Sequence, residues 1–71
     1  MEKKYVIYFQ SKIESNNHGY FYRNRKEGFT SVYQPERAKK FKTEDNAFIQ
    51  LKLLQEKEGA YYDFEIKGVY I

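Results

Sequence analysis

Fourteen of the 71 side chains are aromatic, eight Tyr and six Phe, and none is Cys or Trp. In a chain this short, that combination narrows the folding options sharply. A small domain buries only about 60% of the surface its unfolded chain exposes, so its stability is marginal without a staple. No Cys means no disulfide, and a single His cannot build a zinc site. No metal or cofactor is expected. Dense aromatic packing or a partner must supply the rest, since each buried ring contributes roughly 1.5–3 kcal/mol relative to exposure. One domain over residues 1–71 is expected, and a homodimer is one route to its stability. The Tyr excess points outward as well. A large ring with a polar tip suits a surface that meets a partner.

The pattern of elements follows from alternation and turn chemistry. Lys3–Gln10 is β-branched and aromatic and reads as a strand, with Tyr5, Ile7 and Phe9 on one face and Val6 and Tyr8 on the other. Two apolar faces suit an interior position in a sheet. Ser15–Gly19 is a turn, Tyr20–Arg25 a second strand, Lys26–Gly28 a turn, and Phe29–Tyr33 a third strand closed by Pro35. Thr43 is placed to cap a helix from about Glu44 to Lys57, with Glu44 and Asp45 at the positive end of its dipole and Gly59 as its C′ residue. Ala47, Phe48, Leu51 and Leu54 form its apolar face. Ala60–Ile71 is the last strand, and a shift in apolar phase suggests a bulge at Gly68. The expected fold is α+β: a small, mainly antiparallel four-stranded sheet in the order β-β-β-α-β, with one helix on one face. A right-handed crossover through the helix would set the last strand parallel to the first.

Charge is segregated along the chain. Residues 23–42 hold seven basic residues, Arg23, Arg25, Lys26, Arg37, Lys39, Lys40 and Lys42, against Glu27 and Glu36. Residues 43–66 hold six acids against Lys52 and Lys57. Interleaved with Tyr20, Tyr22 and Tyr33, the basic run has the composition that single-stranded nucleic acid requires, because bases stack on rings while cations meet phosphates. An ordinary solvated loop is the competing reading. Ile49 and Leu53 lie at i, i+4 opposite the helix's core stripe, and suit contact with a second subunit or a target protein, or else the margin of a wide core stripe. His18 falls in an Asn-Asn-His-Gly turn without a nucleophile or second His to work with. Asp63 with Glu65, and Glu44 with Asp45, read as a solvated strand face and a dipole-matched first turn rather than as a glycosidic pair. The four Gly are dispersed, so no phosphate loop is present. These features argue against an enzyme.

The step Ala38-Lys39-Lys40-Phe41-Lys42-Thr43 into a helix, after a Lys-Lys-Tyr-Val-Ile opening strand, resembles small proteins of phages and prophages in Gram-positive bacteria. The likeness covers the first strand and residues 38–54. In layout the chain is also similar to the hybrid-binding domain of some ribonucleases H, without that domain's Trp. Physically the step is a corner, with Ala38 and Phe41 tucked under the helix that Thr43 caps. Taken with the Tyr-rich composition, the segregated charge and the lack of catalytic groups, the resemblance leads to the expectation of a phage-type accessory protein that binds a host protein as an inhibitor or anti-defence factor. Tyr20, Tyr22, Tyr33, Ile49 and Leu53 are the expected protein-binding residues. The alternative is a single-stranded nucleic-acid module built on the basic segment. No stretch has the length of a membrane span, and a cytoplasmic location is expected.

Overall fold

Alternation along the first strand resolves into two faces that are covered by different parts of the chain. The structure, a computed structural model, describes residues 2–71. The elements run β1 (Lys3–Ser11), β2 (His18–Asn24), β3 (Phe29–Val32), a short 3-10 helix (Pro35–Arg37), α1 (Glu44–Glu58) and β4 (Tyr62–Tyr70). The strands form one open antiparallel sheet in the order β3-β2-β1-β4, so β1 is interior as its pattern requires. α1 lies on one face and packs chiefly against β4 and β1.

The face under α1 is an aromatic core. Ile7 and Phe21 are buried there with Leu51 and Leu54 of the helix, flanked by Phe29, Phe41, Phe64 and Ile66. Phe29 is the hub: its ring centroid lies 5.2 Å from Phe9, 5.6 Å from Tyr62 and 5.8 Å from Phe64, all edge-to-face. Such contacts add roughly 0.5–1.5 kcal/mol per pair beyond the area they bury. This cluster, rather than a crosslink, ties β1, β2, β3 and β4 together.

The helix begins as its sequence dictates. Thr43 is extended, and its Oγ1 accepts from the Asn46 amide at 3.1 Å. Ala47, Leu51 and Leu54 are buried, whereas Phe48 is half exposed. At the other end Gly59 departs from expectation. It stays in the right-handed region at φ −64° rather than the left-handed conformation of a C′ glycine. Glycine is needed there because a Cβ would collide with the Gln55 carbonyl oxygen. The left-handed residue is Gly28, at φ 84° in the β2–β3 turn.

Two further expectations are corrected. β4 is antiparallel to β1, with unbroken register from Lys3↔Tyr70 to Ser11↔Tyr62. The expected parallel pairing assumed that the helix was the only return leg after β3. Instead residues 33–41 themselves descend the sheet and end with Phe41 bridged to Tyr5, so α1 climbs and β4 descends again. At about 3.3 Å per residue that segment is long enough to make the trip. The unbroken register also leaves no bulge at Gly68. The irregularity lies in β2, between Phe21 and Arg23.

That bulge shapes everything near it. β1 and β2 pair only from Tyr8↔Tyr20 to Gln10↔His18, after which β2 curls away over the helix face. The descending segment fills the gap. Lys39 N–H donates to the Phe21 carbonyl at 3.1 Å, and Tyr5 and Phe41 exchange backbone hydrogen bonds of 3.0 and 2.8 Å. The chain thereby passes from the far face of the sheet, where Pro35 and Lys40 share a depression with Val69 and Ile71, to the face that carries α1. Val6 points to the far face yet is fully buried, and Ala38 is buried nearby in sequence to the bridge.

Candidate functional site

The divergence of β2 from β1 opens a cleft of about 360 Å³. Phe21 and Phe41 line it, with stacked rings 6.4 Å apart at 21°. Tyr22, Arg23 and Lys39 are its exposed walls. The bulge is the reason Tyr22 and Arg23 are neighbours in space rather than on opposite faces. The Arg23 guanidinium carbon stands 4.9 Å from the Tyr22 ring centroid, and Nη2 donates to the Tyr22 hydroxyl at 3.4 Å. The bulge also turns Asn24 toward α1, where it and Gln50 exchange amide hydrogen bonds of 3.1 and 3.2 Å. That reciprocal pair closes the cleft on the helix side and fixes the distance between the curled hairpin and α1.

Chemically the cleft offers an apolar aromatic floor, a ring already carrying a cation, and a second ammonium. Among the described residues the ion pairs are Lys4–Glu2 at 3.4 Å and Lys12–Asp63 at 3.8 Å. Neither involves Arg23 or Lys39, so both cations face solvent. This set suits a segment that brings a carboxylate or phosphate together with a flat apolar group.

The other residues singled out in the sequence are distributed differently. Arg25 and Lys26 sit in the turn after β2, and Arg37 ends the 3-10 helix. Lys40 is partly buried, and its Nζ donates to the carbonyls of Glu36 at 2.6 Å and Ala38 at 2.9 Å, which makes it a clamp for the descending segment. Lys42 lines a separate depression with Lys3 and Lys4. Of the seven basic residues, then, the cleft gathers Arg23 and Lys39. Tyr33 follows β3 and is 77% exposed, away from the cleft lining. Ile49 stands exposed on the outer side of α1, and Leu53 beside it is about half exposed.

Tyr20 belongs to a different surface. On the far sheet face its ring meets Tyr8 edge-on at 5.4 Å, Tyr8 lies 6.1 Å from His18, and Lys67 Nζ sits 4.6 Å from the Tyr8 centroid. His18 is exposed at the start of β2. Among the described residues no group of three His, Asp or Glu stands close enough to hold a metal ion, and no helix is long and apolar enough to cross a membrane.

Sequence reasoning missed Phe41, Asn24 and Gln50 as cleft residues, and Tyr8 and Lys67 as a surface pair. In the sequence Phe41 reads as core under the helix, Tyr8 as part of the second apolar face of β1, and the two amides carry no feature that singles them out. No local signal marks the amides, because their role depends on a contact 26 positions apart. Compared with known proteins, the chain matches no family model, no curated protein and no solved structure.

Proposed function

We propose that this chain is a non-catalytic binding module that takes a protein partner at the cleft between β2 and the descending segment. The observation that carries the reading is the convergence of Tyr22, Arg23 and Lys39 around Phe21 and Phe41. Tyr and Arg are among the side chains enriched at binding hot spots, and here they are held together by a backbone irregularity. An acidic segment carrying an aromatic or aliphatic anchor is the complementary partner. The likeness of the first strand and residues 38–54 to small phage proteins supports a bacterial host protein as the partner class, with inhibition or anti-defence in the host cytosol as the proposed outcome of binding.

Capture from a bacterial lysate, with and without nuclease, tests the proposal. Capture that survives nuclease and is lost on Tyr22→Ala and on Arg23→Glu is the expected result. Capture that tolerates both changes refutes the cleft.

Single-stranded nucleic acid is the second reading, and the far sheet face is what favours it. Tyr8 and Tyr20 with Lys67 form a ring-and-cation platform on a strand surface, apart from the cleft. Salt separates the two readings. Each phosphate contact contributes a log–log slope of about −0.7, so three contacts give about −2. A partner held by buried aromatic anchors responds far more weakly.

A further inference from the structure

β4 ends the sheet, and among the described residues nothing pairs with its outer edge. The strand is nine residues long, with no Pro and no bulge, which is an open template for another strand. Its hydrogen-bond phase is defined by its two ends. Glu2 and Ile71 exchange bonds of 3.0 Å, and Lys12 N–H donates to the Tyr61 carbonyl at 2.9 Å. Odd-numbered residues of β4 therefore bond to β1. Tyr62, Phe64, Ile66, Gly68 and Tyr70 turn their N–H and C=O groups outward.

We propose that this edge pairs with the same edge of a second copy, antiparallel about a two-fold axis through Ile66. Two independent features select that register. Only a centre at Ile66 overlaps all nine residues of both strands. The same centre sets Glu65 opposite Lys67 of the second copy, and Lys67 opposite its Glu65. Both acids and cations lie on the far face, at non-hydrogen-bonded positions where facing side chains come closest. A centre at Glu65 or Lys67 would oppose like charges on the axis, and a centre at Phe64 would set Asp63 against Glu65. On the helix side the Ile66 register sets Phe64 against Gly68, whose face is already crossed by the Lys3 side chain, and Tyr62 against Tyr70. Phe64 and Ile66 are only partly buried in the single chain, so the pairing adds cover to existing core residues.

The helix fits this arrangement. Gln50 faces β2 through Asn24, and Phe48 lies about 200° round the helix from it, on the β4 side. Phe48 is half exposed. In the dimer the two Phe48 rings flank the axis above the new strand pair. The binding cleft lies at the other side of β1, so the dimer carries two clefts facing apart. This inference is independent of what the clefts bind.

The chain is suited to a direct test because it contains no Cys. Ile66→Cys should form an intermolecular disulfide readily, since facing residues at a hydrogen-bonded position have Cα atoms about 5.5 Å apart. Glu65→Cys with Lys67→Cys tests the same register from the exposed face, where folding is not at risk. Light scattering should give twice the chain mass for the unaltered protein. Glu65→Lys and Lys67→Glu should each weaken the dimer by about ten-fold or more, and the two together should restore it, because the facing pairs become opposite again. A monomer at high micromolar concentration overturns the proposal. So does a dimer indifferent to either reversal, which would point to the Ile49–Leu53 face. A monomer whose β4 edge instead takes a strand of a different protein also overturns it.

Discussion

Val6 offers a sharp test of how the crossover segment works. In a four-stranded sheet with one helix, the face away from the helix is open to water, and a Val there costs little to change. Here Val6 is on that face and fully buried. Val6→Ala removes two methylene equivalents, about 1.6 kcal/mol of transfer free energy at 0.8 each. The cavity left behind raises the cost to about 2–3 kcal/mol. Val6→Thr keeps shape and strand preference but places a hydroxyl where its solvent partners are removed, at about 1–3 kcal/mol. A chain of 71 residues is stable by roughly 3.5–10 kcal/mol, so either change is a large fraction of the total. Urea unfolding followed by circular dichroism reads this directly. With a slope of about 1 kcal/mol/M, the midpoint should fall by about 2 M in Val6→Ala with the slope unchanged. Val69→Ala, partly exposed on the same face, should shift it much less. A cost under about 0.5 kcal/mol for both Val6 variants would show surface behaviour, and would refute the burial of Val6 on this face.

Four other outcomes are expected. Thr43→Ala should cost about 1 kcal/mol by loss of the cap to the Asn46 amide, with Thr43→Ser nearly neutral in the same urea assay. Gly28→Ala should cost about 1–2 kcal/mol, because it forces a side chain into the left-handed region; a neutral result would deny that the turn is held at φ 84°. Asn24→Ala and Gln50→Ala should be strongly non-additive, with a coupling of about 0.5–1 kcal/mol in a double-mutant cycle, since each is the other's partner. His18→Ala should leave partner capture unchanged, because His18 lies outside the cleft; loss of capture with the fold intact would move the site to the far sheet face.

Local chemistry was legible where a residue answers only to its neighbours. The Thr43 cap, the buried Ala47–Leu51–Leu54 stripe and the two-faced β1 follow from side-chain type and spacing, because capping and periodicity act within a turn or a strand. Strand ends were misplaced by a residue or two, as at Ser11 and Asn24, where pairing rather than propensity ends the element. Three of the seven cleft residues are legible in the same way. Tyr22, Arg23 and Lys39 stood out by type, but nothing local separated them from Tyr33, Lys40 or Arg37.

By itself the sequence determined the element order, the absence of any crosslink and the supply of rings from which the core had to be built. Tertiary structure alone decided the direction of β4, the curl of β2 and the cleft that the curl opens. Each of these depends on where residues 33–41 run, and that path is held by hydrogen bonds from Lys39 to Phe21 and between Phe41 and Tyr5. Such long-range pairings are chosen by the free energy of the whole sheet, once loop closure and burial are summed, and no window of neighbouring residues contains that sum.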